Sequence, residues 1–231
     1  MGHPQDVIDT LKLVRPLAGL SAEWLETLSR AARLQSLRQG ECAAEQGRAL
    51  SHMLIIHDGE LELSITGRSG RRRVIARLGR GQTFGLMAAF DTQPVLCTSR
   101  ACCDSTVIRV PREALIDAIR ANGNFALDLF MDLSGRARLL YRFLDAQATL
   151  TPLGRVANLL LSLMAFRGPL SDASDMVELR FSQADIADMM GITRQSLGTQ
   201  LKALQAMGAI SLQYRSVRIL DVPALQALTA R

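Results

Sequence analysis

The residues of this 231-residue sequence that are best suited to chemistry are basic, amide and hydroxyl side chains near the carboxyl end. From Ile192 to Arg218 the sequence has basic residues at four positions and no acidic residue. Such side chains on one surface can bind phosphates and the edges of bases. We therefore expect a DNA-binding surface, which would use Thr193, Arg194, Gln195, Ser196, Thr199, Gln200, Lys202, Arg215 and Arg218.

The other reactive residues give little support for catalysis or metal binding. The sequence has four cysteines and three histidines. No two cysteines form a Cys-x-x-Cys pair, and no histidines have metal-ligand spacing. The glycine-rich segment 79–85 has its third glycine one residue too late for a dinucleotide loop. We therefore expect neither an enzyme nor a metal site.

Two short helices joined by a glycine are predicted to position the basic surface. Ser182 is the predicted N-cap of the first helix, and Asp185, three residues later, completes a capping box. Gly191 provides the turn, and Thr193 is the predicted cap of the second helix. The second helix carries an apolar face of Leu197, Leu201 and Leu204. This pattern predicts a helix-turn-helix.

Two short β-forming segments follow the second helix. They are Ile210–Tyr214 and Val217–Leu220, and we expect Arg215-Ser216 to join them as a hairpin. A hairpin at this place makes the motif a winged helix-turn-helix. A helical hairpin of an enzyme could show the same spacing, and a basic face can be merely solvated. The two caps and the absence of acids favour DNA binding over a non-DNA-binding interaction module.

The first half of the chain has a different pattern, with short alternating apolar runs bounded by glycines between about Leu34 and Pro111. The clearest runs are Met53–Ile56, Leu61–Ile65, Val74–Leu78 and Ser105–Val110. This pattern predicts an all-β barrel or sandwich. Ser21 is the predicted N-cap of a short helix that precedes it.

After Pro111 the apolar period changes from two residues to between three and four. Apolar residues recur at Ala126, Phe130, Leu133, Ala137, Leu140 and Leu144. These positions form an a/d seam, which predicts a long helix that pairs with a second copy of the chain. Packing on the chain's own barrel is the alternative. The seam ends in Asp145–Leu150, our candidate hinge, and Thr151-Pro152 is predicted to begin another helix, through Phe166.

The composition agrees with a folded, water-soluble protein, since 48% of residues are hydrophobic and 21% are charged. The longest apolar stretch, Val156 to Phe166, is shorter than the roughly 20 residues of a membrane-spanning helix. The first residues contain no secretory signal, so we expect a cytoplasmic location and no membrane partner. We expect three parts: an N-terminal effector-sensing β domain at residues 1–120, a dimerisation helix with its hinge at 121–150, and a DNA-binding winged helix-turn-helix domain at 151–231.

Over nearly its whole length the sequence resembles the Crp/Fnr family of transcriptional regulators. The resemblance is carried, in family order, by Leu17 to Ser21, Gln39 to Glu41, Glu45 to Gly47, Asp58 to Leu61, Leu78 to Gly85, Gly154 to Ala157 and the helix-turn-helix. It implies an α+β protein with an N-terminal β jelly-roll of the cyclic-nucleotide-binding type, a long dimerisation helix and a C-terminal winged helix-turn-helix. It further implies a homodimer that binds palindromic operators, with RNA polymerase as a partner.

The resemblance also implies an effector pocket. It would lie at Phe84, Gly85, Leu86, Met87, Val95, Leu96 and Leu140. Family members that bind cyclic AMP have a glutamate after the glycine and an Arg-Ser pair about ten residues later. This sequence has Leu86-Met87 and Val95-Leu96 at these places, and a buried phosphate without a cation is costly. We therefore expect no cyclic-AMP response.

The identity of the effector stays open at the level of the sequence. A small apolar or aromatic molecule, haem with a diatomic gas, and no ligand at all are the alternatives. The side chains able to ligate haem iron are His52, His57, Met87 and Cys97, although packed, hydrogen-bonded roles are the favoured interpretation. An iron-sulphur sensor is disfavoured, because no cysteine precedes Cys42.

Overall fold

Alternating apolar residues and glycine turns fold the first part of the chain into strands, and helical periodicity governs the second part. The computed structural model describes residues 4–68, 70, 72–166 and 177–230. The chain divides into two compact units, of which the first ends at Gly135 and the second begins at Arg136. Each unit has its own sheet structure and core.

The first unit combines helices with two four-stranded sheets. Its helices are α1 (Pro4–Leu13), α2 (Ala22–Ala31), α3 (Leu86–Asp91), α4 (Arg112–Ala121) and the start of α5 (Gly123–Thr149). Its strands are β1 (Arg33–Leu37), β2 (Cys42–Ala44), β3 (His52–Asp58), β4 (Leu61–Thr66), β5 (Arg72–Leu78), β6 (Thr83–Phe84), β7 (Thr98–Ala101) and β8 (Ser105–Pro111).

The two antiparallel sheets have the strand orders β1-β8-β3-β6 and β2-β7-β4-β5. The register pairs Ile55 with Ile108 and Leu61 with Leu78, so the apolar faces of neighbouring strands coincide. All four predicted runs are strands, which confirms the predicted jelly-roll. β3 is longer than the predicted run Met53–Ile56, since the strand begins at His52 and ends at Asp58.

The helices of the first unit pack on one of these sheets. One buried cluster joins α1, α2, α4 and the start of α5 to residues of β3 and β8 such as Met53 and Ile108. The hydroxyl of Thr10 in α1 lies 2.8 Å from Nδ1 of His57 in β3, which adds a polar link to the apolar contact. Ser21 caps α2 as predicted, since its hydroxyl accepts a hydrogen bond from the backbone N–H of Trp24.

The second unit contains the rest of α5 and a small helical domain with a three-stranded sheet. Its further elements are α6 (Pro152–Phe166), β9 (Val177–Leu179), α7 (Gln183–Met190), α8 (Arg194–Ala206), β10 (Ile210–Gln213), β11 (Ser216–Ile219) and α9 (Val222–Ala227). The strand order is β10-β11-β9, and both pairings are antiparallel.

A glycine allows α9 to approach α6 closely. A Cβ atom at Gly154 would lie 2.7 Å from the backbone carbonyl oxygen of Leu228, just after α9. A backbone atom cannot move aside as a flexible side chain can, so a larger residue would push the two segments apart. The side-chain hydroxyl of Thr151 accepts a hydrogen bond from the backbone N–H of Gly154, which fixes the first turn of α6.

The structure corrects the predicted hinge. Asp145–Leu150 is not an interruption of the helix, because α5 continues to Thr149. Loss of the apolar pattern does not end a helix when the residues concerned, such as Ala146 and Gln147, are good helix formers. The break follows at Leu150 and Thr151, because the proline at position 152 disfavours helical conformation in the residue before it.

Candidate nucleic-acid interface

The helix-turn-helix forms as its caps predict. The hydroxyl of Ser182 accepts a hydrogen bond of 3.1 Å from the backbone N–H of Asp185, whose carboxylate accepts one of 2.9 Å from the backbone N–H of Ser182. This reciprocal pair is the predicted capping box. Gly191 ends α7 with φ of +67°, a left-handed conformation that glycine adopts without strain. The chain can therefore start α8 three residues later.

Helix α8 turns one apolar face inward and a polar face outward. The hydroxyl of Thr193 accepts a 3.1 Å hydrogen bond from the backbone N–H of Ser196 and so caps the helix, as predicted. The predicted apolar face is fully buried, at Leu197, Leu201 and Leu204. The side chains predicted to contact DNA are exposed at Arg194, Gln195, Ser196, Thr199 and Lys202.

Gln200 occupies an intermediate position on α8. At about 100° per residue it lies near the leucine face, and its side chain is half-buried. The hydroxyl of Thr199 donates a 3.3 Å hydrogen bond to the backbone carbonyl of Gln195 one turn earlier. The oxygen of this hydroxyl is still available as an acceptor. The polar face of α8 is therefore centred on Gln195, Thr199 and Lys202.

The hairpin after α8 forms, but its turn is one residue earlier than predicted. The turn residues are Tyr214 and Arg215, and Arg215 has φ of +56°. Ser216 is the first residue of β11, and its side chain is buried. Its hydroxyl donates a 2.7 Å hydrogen bond to the carboxylate of Glu178 in β9. The prediction that Arg215-Ser216 forms the turn was therefore wrong. This hydrogen bond ties the hairpin to the third strand of the sheet.

The hairpin presents side chains of three kinds. Arg215 is exposed at the turn, and Tyr214 beside it is 92% exposed. Arg218 is half-buried within β11 and stands opposite Glu178 in the strand register. Tyr214 was not among the residues predicted to contact DNA.

Electrostatics favour an anion at the outer side of this motif. Helix α8 has no acidic residue in its first turn. The N-terminal end of a helix carries partial positive charge from its free N–H groups. Arg194 in the first turn and Lys202 on the polar face add full positive charges. The geometry therefore suits the phosphate backbone of a nucleic acid, with polar side chains available for base edges.

Helix α5 exposes apolar side chains along its length. Phe130 is 67% exposed, Leu140 is 59% exposed and Leu144 is 55% exposed, whereas Leu133 packs partly against the core of the first unit. Ala126 is half-buried and Ala137 is exposed. Further exposed residues of this helix, which the seam did not include, are Leu127, Met131 and Tyr141.

The positions predicted for the effector pocket have different surroundings. In the first unit the structure buries Phe84, Leu86 and Val95 and half-buries Gly85, whereas Met87 is 57% exposed and Leu96 is 72% exposed. Leu86 belongs to the core cluster. Met87 and Leu96 therefore face solvent in the described chain and do not line the interior of the jelly-roll. Leu140 is an exposed residue of the second unit.

Between Val95 and Ala101, where the phosphate site is expected, the described residues include no buried cationic side chain. Burial alternates along this segment, so that Val95, Cys97 and Ser99 are buried. Arg100 is exposed, and its guanidinium donates to the backbone carbonyl of Gly40. Burial raises the pKa of the Cys97 thiol to about 11, which keeps this side chain uncharged. A cyclic phosphate placed beside Val95, Cys97 and Ser99 would therefore have no buried cationic partner within residues 95–101.

Among the candidate haem ligands, the two histidines have other partners and Met87 lies at the surface, whereas Cys97 is buried. The side chain of His52 is hydrogen-bonded to Arg109, and that of His57 to Thr10. Met87 is exposed, as described above. Cys102 and Cys103 lie in the bend between β7 and β8. Burial raises the pKa of Cys102 to about 12.

Two further features of the described residues concern metal binding and membrane insertion. Among residues 4–68, 70, 72–166 and 177–230, no group of three or more His, Cys, Asp or Glu side chains could hold a metal ion. Within the same ranges, no helix has the length and apolar character needed to cross a membrane.

Comparison with known proteins gives the same two-part organisation. Residues 34–122 match the model of the cyclic nucleotide-binding domain, and residues 154–228 match that of the Crp-like helix-turn-helix domain. The chain is 26% identical over 184 residues to the CRP-like cAMP-activated global transcriptional regulator of Mycobacterium tuberculosis, covering 79% of this chain and 82% of that protein.

A second relative and a solved structure are also similar to the chain. The cyclic AMP receptor protein of Thermus thermophilus is 26% identical over 191 residues, with 82% of this chain and 85% of that protein covered. The fold is similar to that of FixK2 from Bradyrhizobium japonicum, with a TM-score of 0.72 at 23% identity, over 87% of this chain and 98% of that one. The observed helix-turn-helix and jelly-roll agree with both matched domains in their order along the chain. The chain belongs to the Crp/Fnr family of transcriptional regulators, with an N-terminal cyclic nucleotide-binding-type domain and a C-terminal DNA-binding helix-turn-helix.

Proposed function

We propose that this regulator is a homodimer that recognises a palindromic operator through α8. The observation that carries the proposal is the two-sided character of α8, whose leucines are fully buried while Arg194, Gln195 and Thr199 are exposed. A recognition helix needs a buried face that holds it rigidly and an outer face of donors and acceptors for the major groove. Helix α8 meets both requirements.

The roles of the side chains follow from their positions. Arg194, in the first turn, would donate two hydrogen bonds to a guanine, and Gln195, Ser196 and Thr199 would contact neighbouring bases. Lys202 and the exposed Arg215 would contact phosphates, with Arg218 and the half-buried Gln200 at the margin of the contact. The hydroxyl of Thr193 is already used in the cap, so Thr193 would act by positioning the helix end against the backbone.

The exposed apolar residues of α5 support the dimer. Phe130, Leu140 and Leu144 are each more than half exposed in one copy of the chain. A second copy would remove these surfaces from water by pairing α5 with its symmetry mate, and each buried side chain would contribute roughly 1.5 to 3 kcal/mol. A symmetric dimer requires an operator with two inverted half-sites.

The effector response would differ from that of a cyclic-AMP-activated regulator. The name of the Mycobacterium tuberculosis relative describes cyclic-AMP activation of that protein. In this chain, Leu86 and Val95 are buried at places where the family's cyclic-AMP binders hold polar groups, and Arg100 faces outward. We therefore propose regulation without cyclic AMP. We place the protein in the cytoplasm, at promoters where RNA polymerase is its partner.

The proposal is tested by selecting binding sites from a random DNA library with the full-length protein. We expect enrichment of an inverted repeat with G·C pairs at the positions that Arg194 reaches. Selection with Arg194→Ala should lose the preference at these positions. Selection with Arg73→Ala, which changes an exposed arginine of the first unit, is the matched control and should recover the wild-type site. Failure of the wild-type protein to enrich any inverted repeat would contradict the proposal.

A further inference from the structure

A cavity of about 420 Å³ lies within the second unit, at the end of α5 and between α6 and α9. This volume is within the range of about 300 to 1,000 Å³ that is typical of small-molecule sites. The cavity is lined by Leu139, Arg142, Asp145, Ala146, Thr149, Leu150, Asn158, Leu161, Ser162, Met164, Ala165, Gln226 and Thr229. It is separate from the exposed polar face of α8, because no α8 residue lines it.

The wall of the cavity contains one cationic and one anionic side chain, Arg142 and Asp145. Among the residues that the structure describes, Arg142 has neither a hydrogen bond nor an ion pair. A guanidinium in this state can donate two parallel hydrogen bonds to a carboxylate. A simple anion would be repelled by the carboxylate of Asp145, whereas a ligand with separated positive and negative groups can place its negative group at Arg142 and its positive group near Asp145.

Three hydroxyl groups of the lining add hydrogen-bond acceptors. The hydroxyl of Thr149 donates to the backbone carbonyl of Asp145 at 2.9 Å, that of Ser162 to Asn158 at 2.8 Å, and that of Thr229 to Gln226 at 2.8 Å. Because each hydroxyl hydrogen is already used, the oxygens can only accept further hydrogen bonds. A lining rich in acceptors suits a ligand group that only donates, such as an ammonium group.

The remainder of the lining is apolar. Leu139, Leu150 and Leu161 are half-buried, as is the flexible side chain of Met164, and Ala146 is buried at 3% exposure. An aliphatic group of four or five carbon atoms would gain about 0.8 kcal/mol for each methylene that it buries here. The cavity therefore combines a carboxylate-binding group, ammonium acceptors and an apolar surface.

The cavity lies on the side of α5 that is opposite to the exposed residues Leu140 and Leu144. At about 100° per residue, Arg142 lies about 200° around the helix from Leu140, and Ala146 lies about 200° from Leu144. Pairing of α5 helices through Leu140 and Leu144 would therefore leave the cavity open. A ligand would contact α5, α6 and α9 together.

We propose that this cavity binds a free α-amino acid with an aliphatic side chain. Its carboxylate binds Arg142, its ammonium group is held by Asp145 and the hydroxyl oxygens, and its side chain packs against Leu139, Leu161 and Met164. The site belongs to the DNA-binding unit and is independent of the jelly-roll. Binding at this site does not require the proposed operator recognition, so its test uses no DNA.

The first test is isothermal titration of the full-length protein with L-leucine and three analogues. 4-Methylpentanoate lacks the ammonium group, L-leucinamide lacks the carboxylate, and glycine lacks the side chain. We expect L-leucine to bind and each analogue to bind at least tenfold more weakly, because each loses one set of contacts. Absence of L-leucine binding, or equal binding of L-leucine and 4-methylpentanoate, would overturn the proposal.

The second test locates the site with variants. Arg142→Gln removes the cation, and we expect it to reduce L-leucine affinity at least tenfold. Arg138→Gln is the matched control, because Arg138 is an exposed arginine of the same helix that does not line the cavity. Ala165→Phe places a large side chain in the lining and should abolish binding. Unchanged affinity of both Arg142→Gln and Ala165→Phe, with folding verified by circular dichroism, would show that L-leucine binds elsewhere.

Discussion

Nη2 of Arg109 on β8 donates a 3.2 Å hydrogen bond to Nδ1 of His52 on the neighbouring strand β3. A guanidinium cannot accept, so the neutral ring must carry its proton on Nε2. This Nε2 is buried and has no hydrogen-bond partner among the described residues. Burial, together with the positive charge of Arg109, lowers the pKa of His52 from 6.5 to about 4. His52 is therefore neutral in the folded protein near pH 6.

We predict that the first unit loses stability as the pH falls from 6.5 to 4. In this range His52 is protonated in the unfolded chain but not in the folded chain, so a fall in pH lowers the free energy of unfolding. Below about pH 4 His52 is protonated in both states, and this loss of stability is complete. His52→Gln should reduce this part of the pH dependence. Urea unfolding followed by the fluorescence of Trp24, the single tryptophan, measures it in the first unit. Equal pH dependence in wild type and variant would contradict the explanation.

Gly154→Ala should destabilise the second unit by about 1 to 3 kcal/mol, because the added Cβ would lie 2.7 Å from the carbonyl oxygen of Leu228. The matched control is Gly198→Ala in α8, where nothing lies within 4 Å of the new atom. That change should stabilise the helix by about 0.5 to 1 kcal/mol. Thermal unfolding followed by circular dichroism compares the two variants, and shifts of the same sign and size would contradict the assigned contact.

Leu140→Glu should convert the proposed dimer to a monomer, because the two-fold axis would bring like charges together on α5. Leu96→Glu is the control, since Leu96 is even more exposed, at 72% compared with 59% for Leu140, and lies outside α5. Sedimentation velocity gives the mass of each variant. If Leu140→Glu stays dimeric, the exposed residues of α5 are not the interface.

Cyclic AMP should not bind with micromolar affinity or change the affinity for an operator. Burying its phosphate against residues such as Val95 would cost several kcal/mol, and among the described residues 95–101 the cationic side chain, Arg100, is exposed and does not offset that cost. Calorimetry on the full-length protein measures the binding. Micromolar affinity together with tighter DNA binding would contradict this prediction.

The sequence predicted those parts of the fold that depend on local rules. Both caps of the helix-turn-helix, at Ser182 and Thr193, involve residues within four positions of each other, and the buried leucines of α8 follow a simple helical period. The four predicted strands are short runs of β-forming residues bounded by turn residues, and β5 alternates clearly between buried and more exposed residues. Short strands without strong alternation, such as β2 and β7, were not predicted, because pairing across the sheet decides them.

The errors arose where contacts distant in sequence decide the structure. Ser216 extends β11 because it bonds to Glu178, which is 38 residues away, so the turn moves to Tyr214-Arg215. The cavity between α5, α6 and α9 could not be predicted either, because its lining residues come from three separate segments. Local spacing contains no information about either arrangement.

The central claim is tested most directly by measuring the affinity of the protein for its selected operator as a function of salt concentration. Fluorescence anisotropy of the labelled duplex would compare wild type with Arg194→Ala and with the control Arg73→Ala. We expect affinity to fall steeply with salt, because phosphate contacts release counterions. Arg194→Ala should bind about 5- to 150-fold more weakly, the loss of about 1 to 3 kcal/mol for one arginine-guanine contact, and Arg73→Ala should be unchanged. Affinity that is independent of salt, or unaffected by Arg194→Ala, would contradict recognition of DNA through α8.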